Sequence, residues 1–220
     1  MGPAISPMPY SALVTFFLNL LSAFVALLTS YYAYKVNRLV SNSVLRAISI
    51  GFMLLGLGLL VDAGTSIVSG RTLVESFSDK VLTLFASATY LTLQMIAYLV
   101  IAVGYARAAY GGRMRPAMPV ALAGSALVGL YSYSVLSYFV AFVLLAFVVF
   151  QGMLLRSGEK SRMSGMVLLG FILILVAHFI LLVSVLLLGA DLFLIGTMVQ
   201  FLGFLSLLVF VIGSEVVGPG

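Results

Sequence analysis

Seven long apolar runs divide this chain, and each approaches the roughly 20 residues that a helix needs to cross about 30 Å of hydrocarbon. Apolar residues make up 63% of the chain and charged residues only 8%, a composition that water could not solvate as a surface. The sequence therefore predicts one all-α integral membrane domain, 1–220, built as a seven-transmembrane-helix bundle in contact with the lipid bilayer. The predicted spans are 10–34, 45–69, 81–106, 117–132, 135–155, 163–188 and 192–214.

Basic residues indicate which way the predicted spans point, because Lys and Arg in short loops stay on the cytoplasmic side. Nine of the eleven basic residues follow predicted spans one, three and five. The N-terminus is therefore predicted outside and the C-terminus in the cytoplasm. The basic residues form no continuous face, so the net charge of +5 does not predict nucleic-acid binding. The nine are Lys35, Arg38, Arg46, Arg107, Arg113, Arg115, Arg156, Lys160 and Arg162.

Tyrosines cluster near the ends of several predicted spans, where amphipathic rings prefer the headgroup level. They are interpreted as interfacial anchors and not as ligand contacts. The predicted inner face carries Tyr31, Tyr32, Tyr34, Tyr105 and Tyr110, and the outer face carries Tyr131, Tyr133 and Tyr138.

Weak self-similarity suggests an internal duplication. The second span contains Gly-Phe-Met-Leu-Leu at 51–55, and the sixth contains Gly-Phe-Ile-Leu-Ile at 170–174. Ala-Val-Gly at 102–104 and Val-Ile-Gly at 211–213 correspond in the third and seventh spans. Apolar sequences also match by chance, so both explanations remain open.

A duplication would make 10–106 and 135–214 two three-helix repeats joined by a connector helix, 117–132. The connector would let both repeats keep the same orientation, giving a 3+1+3 arrangement. Parallel repeats of this kind place binding sites at the repeat interface in several transporter folds. The architecture is thus compatible with transport.

One segment resembles a known class of membrane domain. Residues 33–35 (Ala-Tyr-Lys), Arg46 and 51–56 (Gly-Phe-Met-Leu-Leu-Gly) resemble the helix, basic loop and Gly-Phe-rich helix of prokaryotic seven-helix membrane domains, including those at the front of some sensor histidine kinases. This resemblance implies a sensory or accessory role in a prokaryotic cell membrane. The chain departs from the pattern by ending at Gly220 with no kinase or cyclase domain.

The topology also resembles that of microbial rhodopsins. The predicted seventh span, however, contains no lysine that could hold retinal. No retinal Schiff base is therefore expected.

Polar side chains inside the predicted spans carry most of the functional information, because polar groups are costly in hydrocarbon. Counting about 1.5 Å per residue from the outer end of each span, four of them lie roughly 10 to 15 Å deep and Gln94 a few ångströms deeper. Four different spans thus place their most polar side chains in one slab in the outer half of the bilayer. The other four are Asn19, Asp62, His178 and Gln200.

Asp62 is the carboxylate best placed inside a predicted span, and His178 is the sole histidine. A low-dielectric interior disfavours the charged form of Asp62, which would permit proton binding near neutral pH. One hypothesis is a proton or ligand switch formed by Asp62 and His178. The other is that both side chains hydrogen-bond Asn19, Gln94 or Gln200 and hold the helices together.

The third span presents Ser87, Tyr90, Gln94 and Tyr98 on one helical face, since these residues are three or four positions apart. Hydroxyl and amide groups on such a face should turn inward, where they can find partners. The face could line a narrow cavity or make an ordinary helix contact.

No pattern typical of a catalytic, metal or cofactor site occurs. The chain has one histidine and no cysteine, and no P-loop, paired-carboxylate motif or nucleophile elbow. We therefore expect a non-enzymatic protein without a metal or cofactor. Three functions remain open: a receptor-like or accessory bundle that binds a small molecule, a lipid or a partner; a small or proton-coupled transporter; and a structural subunit that meets a membrane protein partner.

Overall fold

The computed structural model describes residues 10–71, 77–110, 130–158, 162–187 and 190–216. Within these ranges the chain forms six α-helices. Their bounds are α1 Tyr10–Val40, α2 Ser43–Arg71, α3 Phe77–Ala109, α4 Leu130–Gly158, α5 Arg162–Leu187 and α6 Ala190–Val216.

Each of the six described helices is long and apolar enough to cross a membrane. The shortest apolar span, Val135–Leu155, has 21 residues and is about 30 Å long as a helix. The chain is therefore an α-helical multi-pass membrane protein. Helices α1 to α6 correspond to predicted spans one, two, three, five, six and seven. The predicted connector 117–132 lies outside the described residues except for its last three positions, which belong to the start of α4.

The described helices pack as a closed ring. In chain order, each helix packs against the one before it and the one after it, and α6 returns to contact α1. A two-residue link joins α1 to α2: Ser41 has a positive φ of 51°, and the Asn42 side-chain oxygen accepts a hydrogen bond of 2.8 Å from Val44 N. This cap satisfies a backbone donor at the start of α2, and so short a link makes the two helices antiparallel neighbours.

Long side chains fill the interior of this ring. Phe52 of α2 meets Phe204 of α6 edge to face with ring centroids 5.4 Å apart. Tyr105 of α3 meets Phe171 of α5 in the same way at 5.6 Å. All four side chains are buried. Aromatic groups thus join helices that are not neighbours in the ring, whereas large apolar residues on the outside, such as Phe85, are exposed and suited to lipid contact.

Glycines set how closely α5 and α6 approach. A Cβ added at Gly203 would lie 3.1 Å from the Gly170 carbonyl oxygen and 2.6 Å from Ile174 Cγ1. A Cβ at Gly170 would lie 3.3 Å from the Gly203 carbonyl oxygen. Small residues of this kind allow close backbone packing between membrane helices.

We expect Gly203→Ala to lower the free energy of unfolding by about 1–2 kcal/mol, because the added methyl group must displace Ile174 or the α5 backbone. Gly213→Ala on the same helix is the control, since a Cβ there meets no described atom within 4 Å. Unfolding of the purified protein in detergent micelles measures both values. Equal stability of the two variants would contradict the close approach of α5 and α6.

Candidate functional site: a buried polar layer

Asn19 and Asp62 form a direct hydrogen bond between α1 and α2. Asn19 Nδ2 donates to Asp62 Oδ2 at 2.8 Å. Asn19 is buried and Asp62 is half-buried, so the contact lies at the edge of the interior. The sequence analysis offered Asn19, Gln94 or Gln200 as hydrogen-bond partners of Asp62, and the structure confirms Asn19.

His178 is fully buried on α5 and both of its ring nitrogens are engaged. Nδ1 lies 2.8 Å from the Ile174 carbonyl oxygen, and Nε2 lies 2.6 Å from Gln94 Nε2 of α3. A carbonyl oxygen can only accept, so Nδ1 carries the proton. Nε2 of the neutral ring then accepts from the Gln94 amide. The bond joins α3 to α5 across the interior of the ring.

Two tyrosine rings flank His178. Tyr98 of α3 lies edge to face with its centroid 5.1 Å away, and Tyr138 of α4 is tilted at 6.2 Å. Both tyrosines are buried, with 0% and 6% of their surfaces exposed. The imidazole is therefore held by two hydrogen bonds and two aromatic contacts.

Tyr138 and Tyr105, which the sequence interpretation took as interfacial anchors, instead have their side chains buried inside the bundle. Tyr138 faces His178. Helix α3 continues past the predicted end to Ala109, and Tyr105 turns inward onto Phe171.

Gln200 brings α6 into the same layer. It is 3% exposed, and its side chain lies close to the Tyr90 hydroxyl of α3. The Tyr98 hydroxyl lies close to the amides of Gln94 and Gln200 without completing a hydrogen bond of good geometry to either. Three buried polar atoms here have no hydrogen-bond partner among the described residues: Gln94 Oε1, Tyr98 Oη and Gln200 Nε2.

Each of the six described helices thus supplies at least one inward-facing polar side chain to what we call the polar layer, defined as Asn19, Asp62, Tyr90, Gln94, Tyr98, Tyr138, His178 and Gln200. Asp62 and His178 enter it through different partners. Because Gln94 and Ile174 occupy both ring nitrogens of His178, Asp62 does not hydrogen-bond His178 directly. Asp62 is instead electrostatically coupled to the Tyr90 and Tyr138 hydroxyls.

The sequence analysis missed Tyr138 and the neighbouring Ser137, which is fully buried. A signal existed in the run Tyr-Ser-Tyr-Ser-Val-Leu-Ser-Tyr at 131–138, where hydroxyl-bearing residues continue into the predicted span. Residues at a true interface would give way to an apolar run. The continuation is consistent with the burial of Ser137 and Tyr138.

A second buried amide lies near the other end of α4. Gln151 is fully buried, and its Nε2 donates to the Tyr110 hydroxyl at 3.3 Å. It lies 13 residues beyond Tyr138, about 20 Å along the helix axis. Gln151 is therefore separate from the polar layer and offers a matched control for substitutions there.

Amide, hydroxyl and imidazole groups dominate the polar layer, which makes it a hydrogen-bonding site. Over the described parts of the chain, no three His, Asp or Glu side chains converge as a metal site would require. The fold and this site define an α-helical multi-pass membrane protein with a polar core inside a ring of helices. Comparison of the chain with protein-family models, curated proteins and solved structures finds no significant match.

Proposed function

We propose that this chain is a non-enzymatic, receptor-like membrane protein that binds a small polar molecule within the polar layer. One observation carries the proposal: three neighbouring buried polar atoms, on Gln94, Tyr98 and Gln200, have no partner among the described residues. A buried polar group without a hydrogen bond costs about 1–3 kcal/mol. Helix contacts that serve only packing should not retain three such groups side by side.

Aromatic packing below the polar layer supports a binding site over an open pore. On α6, Phe204 follows Gln200 by one helical turn, and its contact with Phe52 bridges the interior. The Tyr105–Phe171 contact bridges it between α3 and α5. In the proposed orientation these rings close the cytoplasmic side, and half-buried Asp62 lies toward the outer side.

Ligand binding in the polar layer would change the packing of helices that are not ring neighbours. The Gln94–His178 bond joins α3 to α5, and the contact between Tyr90 and Gln200 links α3 to α6. A ligand that competes for these amides would shift α3 relative to both helices. The sensory or accessory role implied by the resemblance to prokaryotic seven-helix domains fits such a response.

Membrane orientation can be tested independently. We expect a reporter fused after Gly220 to be cytoplasmic and one inserted near Thr72 to be external, because nine of the eleven basic residues lie in the segments assigned to the cytoplasm. Paired enzymatic reporters with opposite compartment requirements measure this in a bacterial host. Both reporters on one side would refute the proposed odd number of spans.

The proposed function is tested by native mass spectrometry of the full-length protein purified from its native membrane. The expected result is a small molecule retained by the wild type and by Gln151→Leu but lost from Gln200→Leu. Both substitutions remove a buried amide, so a general loss of stability affects them alike. Retention of a partner protein in all three, with no small molecule in any, would favour a structural subunit.

A small secondary transporter is the second candidate, favoured by matching contacts in the two halves. A Cβ added at Gly51 of α2 would meet the Ala97 carbonyl oxygen at 3.0 Å and Ile101 Cγ1 at 2.6 Å. A Cβ added at Gly170 of α5 would meet the Gly203 carbonyl oxygen at 3.3 Å and Leu207 Cγ at 2.6 Å. The two glycines are the ones that the sequence comparison paired.

These contacts relate α3 to α6 by a shift of 106 residues, which also pairs Gln94 with Gln200. The shift differs by three residues from the one that aligned the Ala-Val-Gly and Val-Ile-Gly segments. Two buried glutamines at equivalent positions support a duplicated three-helix unit with its site at the interface of the repeats.

Reconstitution into liposomes separates the carrier from the receptor. A proton-coupled carrier should accumulate the bound molecule when a pH gradient is imposed, and Asp62→Asn should abolish this accumulation while preserving binding. Binding by the wild type without any uptake would exclude transport and leave the receptor-like function in place.

A further inference from the structure

The hydrogen bonds of His178 fix the direction in which the Gln94 amide points. Nδ1 donates to the Ile174 carbonyl, so the neutral ring presents a lone pair at Nε2. Only the NH2 group of Gln94 can donate to that lone pair, at 2.6 Å. Gln94 Oε1 must therefore turn away from His178. It is buried and has no partner among the described residues, which leaves a free acceptor.

Gln200 presents the opposite chemistry. Its Nε2 is buried and has no hydrogen-bond partner in the described part of the chain. Gln200 therefore offers a free N–H donor.

Tyr98 connects the two amides. Its hydroxyl lies close to both Gln94 and Gln200 and makes no completed hydrogen bond within the described residues. A hydroxyl can donate and accept. We call Gln94, Tyr98 and Gln200 the amide cleft: one acceptor, one donor and one group that can serve as either, all at least nine-tenths buried.

Charge around the amide cleft selects against ions. The described polar layer contains no Lys or Arg that would neutralise an anion, and Asp62 is coupled to Tyr90 and Tyr138 at its edge. A cation would find Gln94 Oε1 but would also face the N–H donor of Gln200. Neither sign of charge can use all three groups.

We propose that the amide cleft binds an uncharged carboxamide group. The ligand NH2 would donate to Gln94 Oε1, and its carbonyl oxygen would accept from Gln200 Nε2, with Tyr98 completing either end. The inference rests on the proposed function and specifies its ligand class. A buried water molecule is the competing occupant, since water also donates and accepts.

Three small probes of similar shape separate these occupants. The full-length wild-type protein in lipid nanodiscs is titrated at neutral pH with acetamide, acetate and acetamidinium, and binding is followed by saturation-transfer NMR. Acetamide is expected to bind, and the anion and the cation are not. This comparison needs no variant, so it stands even if a substitution prevents folding.

Substitutions test whether acetamide binds at the amide cleft. Gln200→Leu should weaken acetamide binding by roughly tenfold, because a ligand acceptor loses its donor. Tyr98→Phe removes only the hydroxyl and should weaken it severalfold while keeping the ring against His178. Gln151→Leu should leave the affinity unchanged, since that amide lies at the other end of α4.

The outcomes distinguish the ligand class from the proposed function. Binding of acetate or acetamidinium that depends on Gln200 would overturn the carboxamide assignment and leave a small-molecule site in the polar layer. Failure of all three probes to bind would also overturn it, in favour of water. Loss of the native ligand from Gln200→Leu in mass spectrometry would still uphold the proposed function in either case.

Discussion

His178→Leu is expected to lower the free energy of unfolding by about 2–4 kcal/mol. The substitution removes the bond to Gln94 and leaves that amide buried with neither end satisfied, which costs about 1–3 kcal/mol. It also removes the ring contacts with Tyr98 and Tyr138, worth about 0.5–1.5 kcal/mol each. Interhelical hydrogen bonds in membrane proteins average only about 0.6 kcal/mol. The larger value is expected here because the Gln94 amide is closed off from both water and lipid.

A double-mutant cycle separates the cost of leaving the Gln94 amide without a partner from the cost of losing the ring contacts of His178. Adding Gln94→Leu to His178→Leu removes both partners, so the double variant should be more stable by about 1 kcal/mol or more than the two single losses predict. Unfolding in detergent micelles with increasing denaturant measures all four proteins. Strictly additive losses would show that the 2.6 Å contact between Gln94 and His178 contributes no coupling.

Asp62→Leu is expected to destabilise the protein by about 1–3 kcal/mol, because the Asn19 amide then loses the acceptor at 2.8 Å. Asp62→Asn retains an oxygen that can accept from Asn19 and is expected to cost less than about 1 kcal/mol. Thermal unfolding of both variants in lipid nanodiscs measures the difference.

The contrast between the two substitutions assigns the role of the carboxylate. If Asp62→Asn is as unstable as Asp62→Leu, the negative charge itself holds the helices, and the shape and hydrogen-bonding capacity of the side chain are secondary. Asn19→Leu provides a check from α1, since it breaks the same hydrogen bond while leaving the carboxylate half-buried. If Asn19→Leu is as stable as the wild type, the Asn19–Asp62 hydrogen bond does not stabilise the protein.

Hydropathy predicts the membrane class and six of the helices well. Predicted spans 45–69 and 81–106 match α2 (Ser43–Arg71) and α3 (Phe77–Ala109) to within four residues at each end. The error is larger for α1, which continues to Val40, beyond the predicted end at residue 34. Hydropathy responds to apolar residues, whereas Lys35, Asn37 and Arg38 continue the helix without being apolar.

The site was predicted in part. Burial of Asn19, Gln94, His178 and Gln200 follows from the cost of exposing polar groups to lipid, and the structure buries all four. Their partners did not follow from the sequence. The position of a residue along its helix predicts its depth in the membrane. Whether Asp62 or Gln94 is the partner of His178 depends on which helices face each other across the ring.

Composition and run length by themselves determined that this chain is a multi-pass helical membrane protein with polar groups at a shared depth, because hydrocarbon penalises every exposed polar atom. Only the tertiary structure decided that α1 and α6 close the ring, that Tyr138 turns inward beside His178, and that the free donor and acceptors of the amide cleft lie together. Those contacts join residues that are far apart in the sequence and depend on side-chain rotation and helix order. The pattern of apolar and polar residues along the sequence specifies neither the side-chain rotation nor the order of the helices around the ring.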